Sequence, residues 1–129
     1  MKTTFLRLAF LAAALFGSAA IASAAEPSKE NAAMSSKLFT ALEKGDFEMF
    51  VADGDTAWKG LKKPQFDGLA AQMGPKLKAG YAVTYLGELK RGTAVTTLWK
   101  LDFKGNADDM LATMTVKEGK VNGFGLPRL

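Results

Sequence analysis

The fold class of this chain is decided by residues 95–104, which read Val-Thr-Thr-Leu-Trp-Lys-Leu-Asp-Phe-Lys. Alternate side chains of a strand point to opposite faces, so an apolar side chain at every second position indicates a strand with one buried face. Here the apolar series is interrupted only by a threonine. The positions expected to face the core are Val95, Thr97, Trp99, Leu101 and Phe103.

The segments around this strand continue the sheet. Residues 81–86 are rich in aromatic and β-branched residues, which favour strands. A turn at residues 90–92 joins them to the strand above. After a second turn at residues 105–106, residues 110–117 alternate in the same way, with Met110, Ala112, Met114 and Val116 on one face.

A last hairpin closes the chain. Glu118-Gly119 is a two-residue hairpin turn. With unbroken register, this turn sets Val116 opposite Val121 and Thr113 opposite Phe124. The second half is therefore expected to be an antiparallel meander of four strands.

The first half is expected to be helical. Apolar residues recur at helical spacing over residues 31–44, and Gly45 ends that helix in the left-handed conformation. Asp46 is placed to cap a second helix, and the turn at residues 53–55 either ends it or begins a further short turn through Trp58. A third helix runs from Pro64 to Gly80, with a kink or break expected at Gly74-Pro75. The predicted fold is α+β, with three N-terminal helices on one face of a four-stranded antiparallel sheet.

Residues 1–25 have the pattern of a cleavable signal peptide. Lys2 and Arg7 precede eighteen uncharged residues, which begin strongly apolar and end in the small residues Ala22-Ser23-Ala24-Ala25. Cleavage after Ala24 and cleavage after Ala25 both fit. The second half is too weakly apolar for a lasting membrane anchor. We therefore expect an exported protein, periplasmic or secreted, with one mature domain over residues 26–129.

Composition excludes several chemistries. The chain has 17 basic and 13 acidic residues, and two of the basic ones leave with the signal peptide, so nucleic acid is not an expected partner. It contains no histidine and no cysteine, which excludes an imidazole base, a thiolate nucleophile, a disulfide and a zinc–thiolate site. We predict no cofactor and no metal site. Asp53-Gly54-Asp55 lacks the further ligands of a calcium loop and is interpreted as a turn.

The order of elements, together with four stretches at their joints, resembles the nuclear transport factor 2-like superfamily, the cystatin-like α+β cone, and in particular its small exported bacterial members of unknown function. The resemblance implies a strongly curved sheet that wraps the helices and leaves a pocket at its open end. Because that superfamily contains both enzymes and binding modules, the resemblance does not define a function. The stretches are residues 38–47, 66–80, 99–103 and 118–124.

The acidic residues give little support to catalysis. An isomerase of that superfamily needs a carboxylate base in an apolar pocket and a donor facing it. Most aspartates here fall at expected caps and turns, and Asp102 is flanked by lysines on the polar side of its strand. No residue is assigned a catalytic role. The alternative function is a small acid–base enzyme, of isomerase or cyclase type, that uses one aspartate with Tyr81 or Tyr85.

The leading prediction is a non-catalytic binding or interaction module that holds a small apolar ligand or a protein partner in the cell envelope. Tryptophan and tyrosine favour sites where one edge meets water. The predicted pocket is therefore bordered by Trp58, Tyr81, Tyr85 and Trp99. A homodimer through the open sheet face is also expected, since an exposed apolar face usually has a partner. Its expected apolar residues are Leu111, Phe124 and Leu126.

Overall fold

A computed structural model describes residues 26–106 and 108–127, and the predicted signal peptide lies outside these residues. The described chain is α+β, with helices first and strands second. The helices are α1 Lys29–Lys44, α2 Phe47–Val51, α3 Thr56–Lys59 and α4 Lys63–Lys78. The strands are β1 Tyr81–Arg91, β2 Ala94–Phe103, β3 Asp109–Lys117 and β4 Lys120–Gly125.

Both ends of α1 are set by local chemistry. The Ser28 Oγ accepts a hydrogen bond of 3.1 Å from the Asn31 backbone amide at the first turn. Gly45 ends the helix with a φ of 69°, where glycine avoids the strain of a side chain. None of the described helices has the length and apolarity that a membrane crossing requires.

Within the described residues, four helices form where three were predicted, and the fourth is the short turn through Trp58 that was one of the two alternatives. Asp46 caps α2 as expected, since its carboxylate accepts from the Met49 amide at 3.0 Å. The extra helix, α3, begins because Asp55 also caps, accepting from the Trp58 amide at 2.9 Å. The turn at residues 53–55 therefore separates two short helices.

The expected break at Gly74-Pro75 does not occur, and α4 continues to Lys78. A residue before proline normally leaves the helical region because its Cβ collides with the proline ring. Gly74 has no Cβ, and a Cβ built at its position would lie 3.5 Å from the Leu42 carbonyl oxygen of α1, an ordinary contact distance. The glycine thus relieves the clash with the proline ring, and it lies where α4 packs against α1.

The sheet is a four-stranded antiparallel meander in the order β1-β2-β3-β4. Strand β2 alternates as predicted, and its inward side chains from Thr97 to Phe103 are buried. The predicted inward face of β3 is also confirmed, since Ala112, Met114 and Val116 are buried and Met110 packs against the core. The helices cover this face, which is called the inner face below.

A bulge in β4 overturns one predicted pairing. Val116 lies opposite Val121 as expected, but Thr113 lies opposite Gly125 and Met114 opposite Phe124. The register shifts by one residue at Asn122, and this extra residue places both Val121 and Phe124 on the inner face. Phe124 then meets Phe39 and Phe50 edge-on, with ring centroids 6.0 and 5.7 Å apart.

The bulge also invalidates the apolar surface that the sequence suggested for a dimer. Leu111 lies opposite Lys100, on the face away from the helices. Phe124 and Leu126 instead pack against the core. The three residues do not share one side of the sheet, because strict alternation does not hold across a bulge.

Candidate functional site

An open groove of about 1250 Å³ lies between α4 and one end of the sheet. One wall is a face of α4, and the other is formed where β3 begins and β4 ends. It is lined by Leu69, Gln72, Met73, Lys76, Asp108, Asp109, Met110, Leu111, Phe124, Gly125, Leu126 and Pro127.

The floor of the groove is apolar. Leu69 and Met73 contribute from α4, and Met110, Phe124 and Leu126 contribute from the sheet. Met73 is buried, while the other four are partly exposed and pack against the core. Two methionines among five floor residues make a soft wall, since their unbranched side chains adapt to irregular shapes.

The rim of the groove is polar and carries both charges. Gln72 and Lys76 lie along α4, and Asp108 and Asp109 lie at the start of β3. The Lys76 Nζ sits 5.8 Å from the centroid of the Phe103 ring, a cation–π distance. The Asp109 carboxylate is 3.9 Å from the Lys100 Nζ, with both side chains about half exposed. A ligand on the floor would therefore meet a cationic side and an anionic side at the opening.

The four aromatic residues predicted to border a pocket form three separate contacts. Tyr85 packs on Trp99 with ring centroids 5.2 Å apart. Tyr81, on the same face of β1, meets the Phe39 ring edge-on at 6.3 Å. Trp58 lies on α3 and packs on the Phe50 ring at 5.2 Å.

Both indole N–H groups are satisfied within the protein. Trp58 Nε1 donates to the Phe50 carbonyl oxygen at 2.9 Å, and Trp99 Nε1 donates to the Thr97 Oγ1 at 2.8 Å. Trp99 is 5% exposed. None of these four aromatic residues lines the groove. Ligand binding at the four aromatics is therefore a separate prediction, which the groove does not test.

The α4 wall of the groove could be predicted from the sequence. Leu69, Gln72, Met73 and Lys76 recur at offsets of three, four and seven, which places them on one face of a helix. The wall formed by β3 and β4 could not be predicted, because it depends on the bulge that turns Phe124 inward and on the residue at which β3 begins.

The aspartates occupy the positions expected of caps and surface pairs. Asp53 pairs with the Lys37 Nζ at 3.3 Å, and Asp67 pairs with the Lys63 Nζ at 3.0 Å. Asp102 is exposed on β2. Within residues 26–106 and 108–127, the buried polar side chains are Ser35 and Thr97, and no carboxylate is buried.

The Asp55 carboxylate accepts two hydrogen bonds, one through each oxygen. Its hydrogen bond from the Trp58 amide, and secondly that from the Asn122 side chain at 2.7 Å, lower the pKa of Asp55 below the ordinary 3.8. Its backbone amide also donates to the Val121 carbonyl oxygen at 2.9 Å. These bonds tie the start of α3 to β4, so the carboxylate has a structural role.

Burial, and then the charge of Glu43, raise the pKa of Tyr81 above the ordinary 10.0. Burial and the neighbouring Glu88 raise the pKa of Tyr85 in the same way. Both phenols are therefore neutral hydrogen-bond donors near neutral pH.

A second cavity, of about 570 Å³, lies between the first turns of α1 and the two hairpin tips. Asn31 and Met34 border it on the helix side, and Thr93 and Lys120 border it on the sheet side. Across the part of the chain that the structure describes, no three acidic side chains are grouped to hold a metal ion.

The chain matches no protein-family model, no curated protein and no solved structure. The likeness to the nuclear transport factor 2-like superfamily therefore stays an expectation from the sequence.

Proposed function

We propose that this chain is an exported, non-catalytic binding module of nuclear transport factor 2-like shape, and that its groove holds an elongated apolar or amphipathic small molecule. The observation that carries the proposal is the apolar floor of the groove, open to solvent and bounded by charged side chains. Ligand sites in proteins commonly combine a concave apolar surface with a few polar groups that fix orientation.

The size of the groove supports a ligand of more than a few carbon atoms. Its volume of about 1250 Å³ exceeds the usual range for drug-sized ligands, and it is open along one side. An extended chain that covers the floor would remove the exposed parts of Leu69, Met110 and Leu126 from water. Each buried methylene contributes about 0.8 kcal/mol, so several in line give measurable affinity.

The cone shape belongs to the proposal. Bulges at Leu86 in β1 and at Asn122 in β4 support it, because each bulge bends its strand and increases the local twist. Gly87 follows the first bulge with a φ of 143°, a conformation that side chains rarely adopt.

The non-catalytic part of the proposal rests on where the acids lie. A general base needs burial beside the reacting atoms to raise its pKa into a useful range. The carboxylates near the groove, Asp108 and Asp109, are exposed on its rim. The alternative enzyme would need one of them to become enclosed beside a tyrosine, and neither tyrosine lines the groove.

The test is native mass spectrometry of the mature protein purified from the envelope of its host. We expect extra mass that is released on gentle activation, together with an N-terminus that begins after Ala24 or Ala25. A bare polypeptide mass would contradict the ligand proposal, and an intact Met1 would contradict export with cleavage.

A matched pair of variants assigns the ligand to the groove. Leu69→Glu puts a charge on the apolar floor, whereas Ala71→Glu adds the same charge to an exposed site of α4 outside the groove. We expect the first variant to lose the extra mass, and to bind the probe 1-anilinonaphthalene-8-sulfonate at least about tenfold more weakly. Equal retention by both variants would place the ligand elsewhere.

A further inference from the structure

The charged side chains that line the groove gather at one of its two ends. On α4 this end is marked by Lys76, whose Nζ lies 5.8 Å from the centroid of the Phe103 ring at the end of β2. On the sheet, Asp109 lies opposite Asp102, the residue before Phe103. Asp108 precedes Asp109 and so lies at this end as well. This end of the groove, where β2 ends and β3 begins, is called the charged end below.

The other end of the groove is apolar. Leu69 lies about one helical turn after Phe66, whose ring packs on the Phe50 ring with centroids 4.9 Å apart. The Phe50 ring also meets the ring of Phe124, with centroids 5.7 Å apart. Leu69 and Phe124 therefore lie at the same end, which is called the apolar end.

Both walls of the groove change from apolar to charged in the same direction. Along α4, the lining residues run from Leu69 through Met73 to Lys76, a rise of about 10 Å at the helical spacing of roughly 1.5 Å per residue. Along the sheet, they run from Phe124 to Asp108. The groove is thus matched to a molecule with an apolar body at one end and a charged group at the other.

The ammonium of Lys76 is the cation of the charged end. Within the described residues it forms no ion pair with a carboxylate, and its side chain is exposed. Its position over the Phe103 ring keeps it beside the groove, because the face of an aromatic ring attracts a cation. Lys76 can therefore bind an anionic group without losing an existing ion pair.

The carboxylate of Asp108 is the anion of the charged end. Asp109 is already engaged, since its carboxylate lies 3.9 Å from the Lys100 Nζ. Asp108 is exposed and makes no ion pair with another described residue. Its backbone is fixed by a hydrogen bond of 3.0 Å from its amide to the Asn106 Oδ1. The charged end thus offers one cation and one anion, both open to a ligand.

We infer that the ligand of the groove is a single-chain amphiphile with a zwitterionic head group, one that carries an ammonium and an acidic group together. The inference rests on the proposed function and adds the chemistry and the direction of the ligand. The acidic group of the ligand pairs with Lys76, its ammonium pairs with Asp108, and its chain runs over the methionines of the floor to the apolar end. Charge complementarity favours this head group, because an anion alone meets the like charge of Asp108, and a cation alone meets that of Lys76.

The test is isothermal titration calorimetry of the mature protein at low salt with amphiphiles that share a decyl chain, each kept below its critical micelle concentration. They are decylphosphocholine (zwitterionic), decyl sulfate (anionic), decyltrimethylammonium (cationic) and decyl maltoside (neutral). We expect decylphosphocholine to bind at least about threefold more tightly than each of the others, as two exposed ion pairs allow. Equal affinities for all of them, or tighter binding of any other than decylphosphocholine, would overturn the inference.

Two variants are expected to exchange the preference between the singly charged amphiphiles. Lys76→Gln removes the cation, so decyltrimethylammonium should bind more tightly than decyl sulfate. Asp108→Asn removes the anion, so the order of these two should reverse. Lys78→Gln is the matched control, because Lys78 is exposed on α4 outside the groove and its loss should keep the preference for decylphosphocholine. A purely structural role would change all affinities together, so the same order of affinities in both variants would contradict the inference.

Leu69→Glu separates this inference from the proposed function. It is expected to weaken the binding of decyl maltoside, whose neutral head group does not depend on the charged end. If this variant weakens binding but the natural protein does not discriminate between head groups, the inference fails and the proposed groove stands. If the natural protein binds none of the amphiphiles, both fail. Circular dichroism checks that each variant is folded.

Discussion

At the residue scale, Gly54 lies between the short helices α2 and α3, where the packing of Trp58 leaves no room for a side chain. An ideal Cβ at this position would lie 2.6 Å from the Cβ and Cγ of Trp58, closer than such atoms approach in proteins. Its backbone forms a parallel bridge with Val121 of β4. The indole of Trp58 is held in turn by its bond to the Phe50 carbonyl, so it has little freedom to move aside.

We therefore expect Gly54→Ala to destabilise the protein by about 1–3 kcal/mol, the usual cost of forcing atoms into a packed site. The measurement is urea unfolding followed by circular dichroism. Gly68→Ala is the matched control, because Gly68 is helical and has open space around it. The control is expected to stabilise α4 by roughly 0.5–1 kcal/mol. Equal effects of the two substitutions would contradict the packing argument.

Single residues at element ends were the most predictable features of this chain. Gly45 and Asp46 act through bonds to residues within three or four positions, so local sequence contains the whole reason for their roles, and the same holds for the helix cap that Asp55 provides. Asn122 was not predictable in the same way. Its role depends on Asp55, which is 67 positions earlier in the chain.

At the scale of elements, α4 contains a proline that does not end the helix, because the residue before it is glycine. Proline removes an amide donor in any helix interior, and Gly74 relieves only the steric part of the problem. Pro75 is exposed and lies three residues before Lys78, the last residue of the helix. The helix continues through it at a cost in stability.

Replacing Pro75 with alanine is expected to stabilise the protein by roughly 1 kcal/mol. The gain in helix propensity exceeds the loss of proline's restriction of the unfolded chain. Pro64→Ala is the control, since Pro64 lies in the first turn of α4, where proline is favourable. The control is expected to be neutral or slightly destabilising in thermal unfolding. A loss of stability in Pro75→Ala would show that the proline maintains the contact between α4 and α1.

The strands were predictable in type and order but not in register. Their alternation is a local pattern, and the residues around Trp99 and Met114 followed it. Bulges break the pattern without a strong signal of their own, so the inward turn of Phe124 could not be foreseen. Because Phe124 forms part of the groove, the same bulge is one reason why this wall of the groove was not predicted.

At the scale of the whole molecule, the absence of histidine and cysteine from the sequence shapes its response to solution conditions. Side chains with ordinary pKa values near neutrality are missing, so folding stability should change little between about pH 5 and pH 9, and reductant should have no effect. The limits of this plateau are set by Asp55 at the acidic side and by the tyrosines at the basic side.

The acid limit follows from the sign of the Asp55 shift. Its pKa is lower in the folded state than in the unfolded state, so the folded protein gains stability above the unfolded value of about 3.9 and loses it as the pH falls further. Thermal unfolding across pH 2–6 should show a shallower decline in Asp55→Asn than in the natural protein. Identical slopes would mean that Asp55 does not contribute.

The alkaline limit has the opposite sign. The pKa values of Tyr81 and Tyr85 are raised by folding, so their contribution is complete below about pH 10 and is lost as the pH rises through the folded values. Tyr81→Phe should unfold less steeply between about pH 10 and pH 12. Absorbance at alkaline pH reports the ionisation directly, and tyrosines that ionise at the ordinary pKa would contradict the argument.

The bridge between Gly54 and Val121 joins the first half of the chain to its last strand. Contacts so distant in sequence form slowly, because a long loop must close before they add any stability. During synthesis, the residues around Gly54 leave the ribosome well before their partner strand is made. The contact between Gly54 and Val121 therefore forms only after residues 120–125 have been synthesised, which makes it a late step in the folding of this domain.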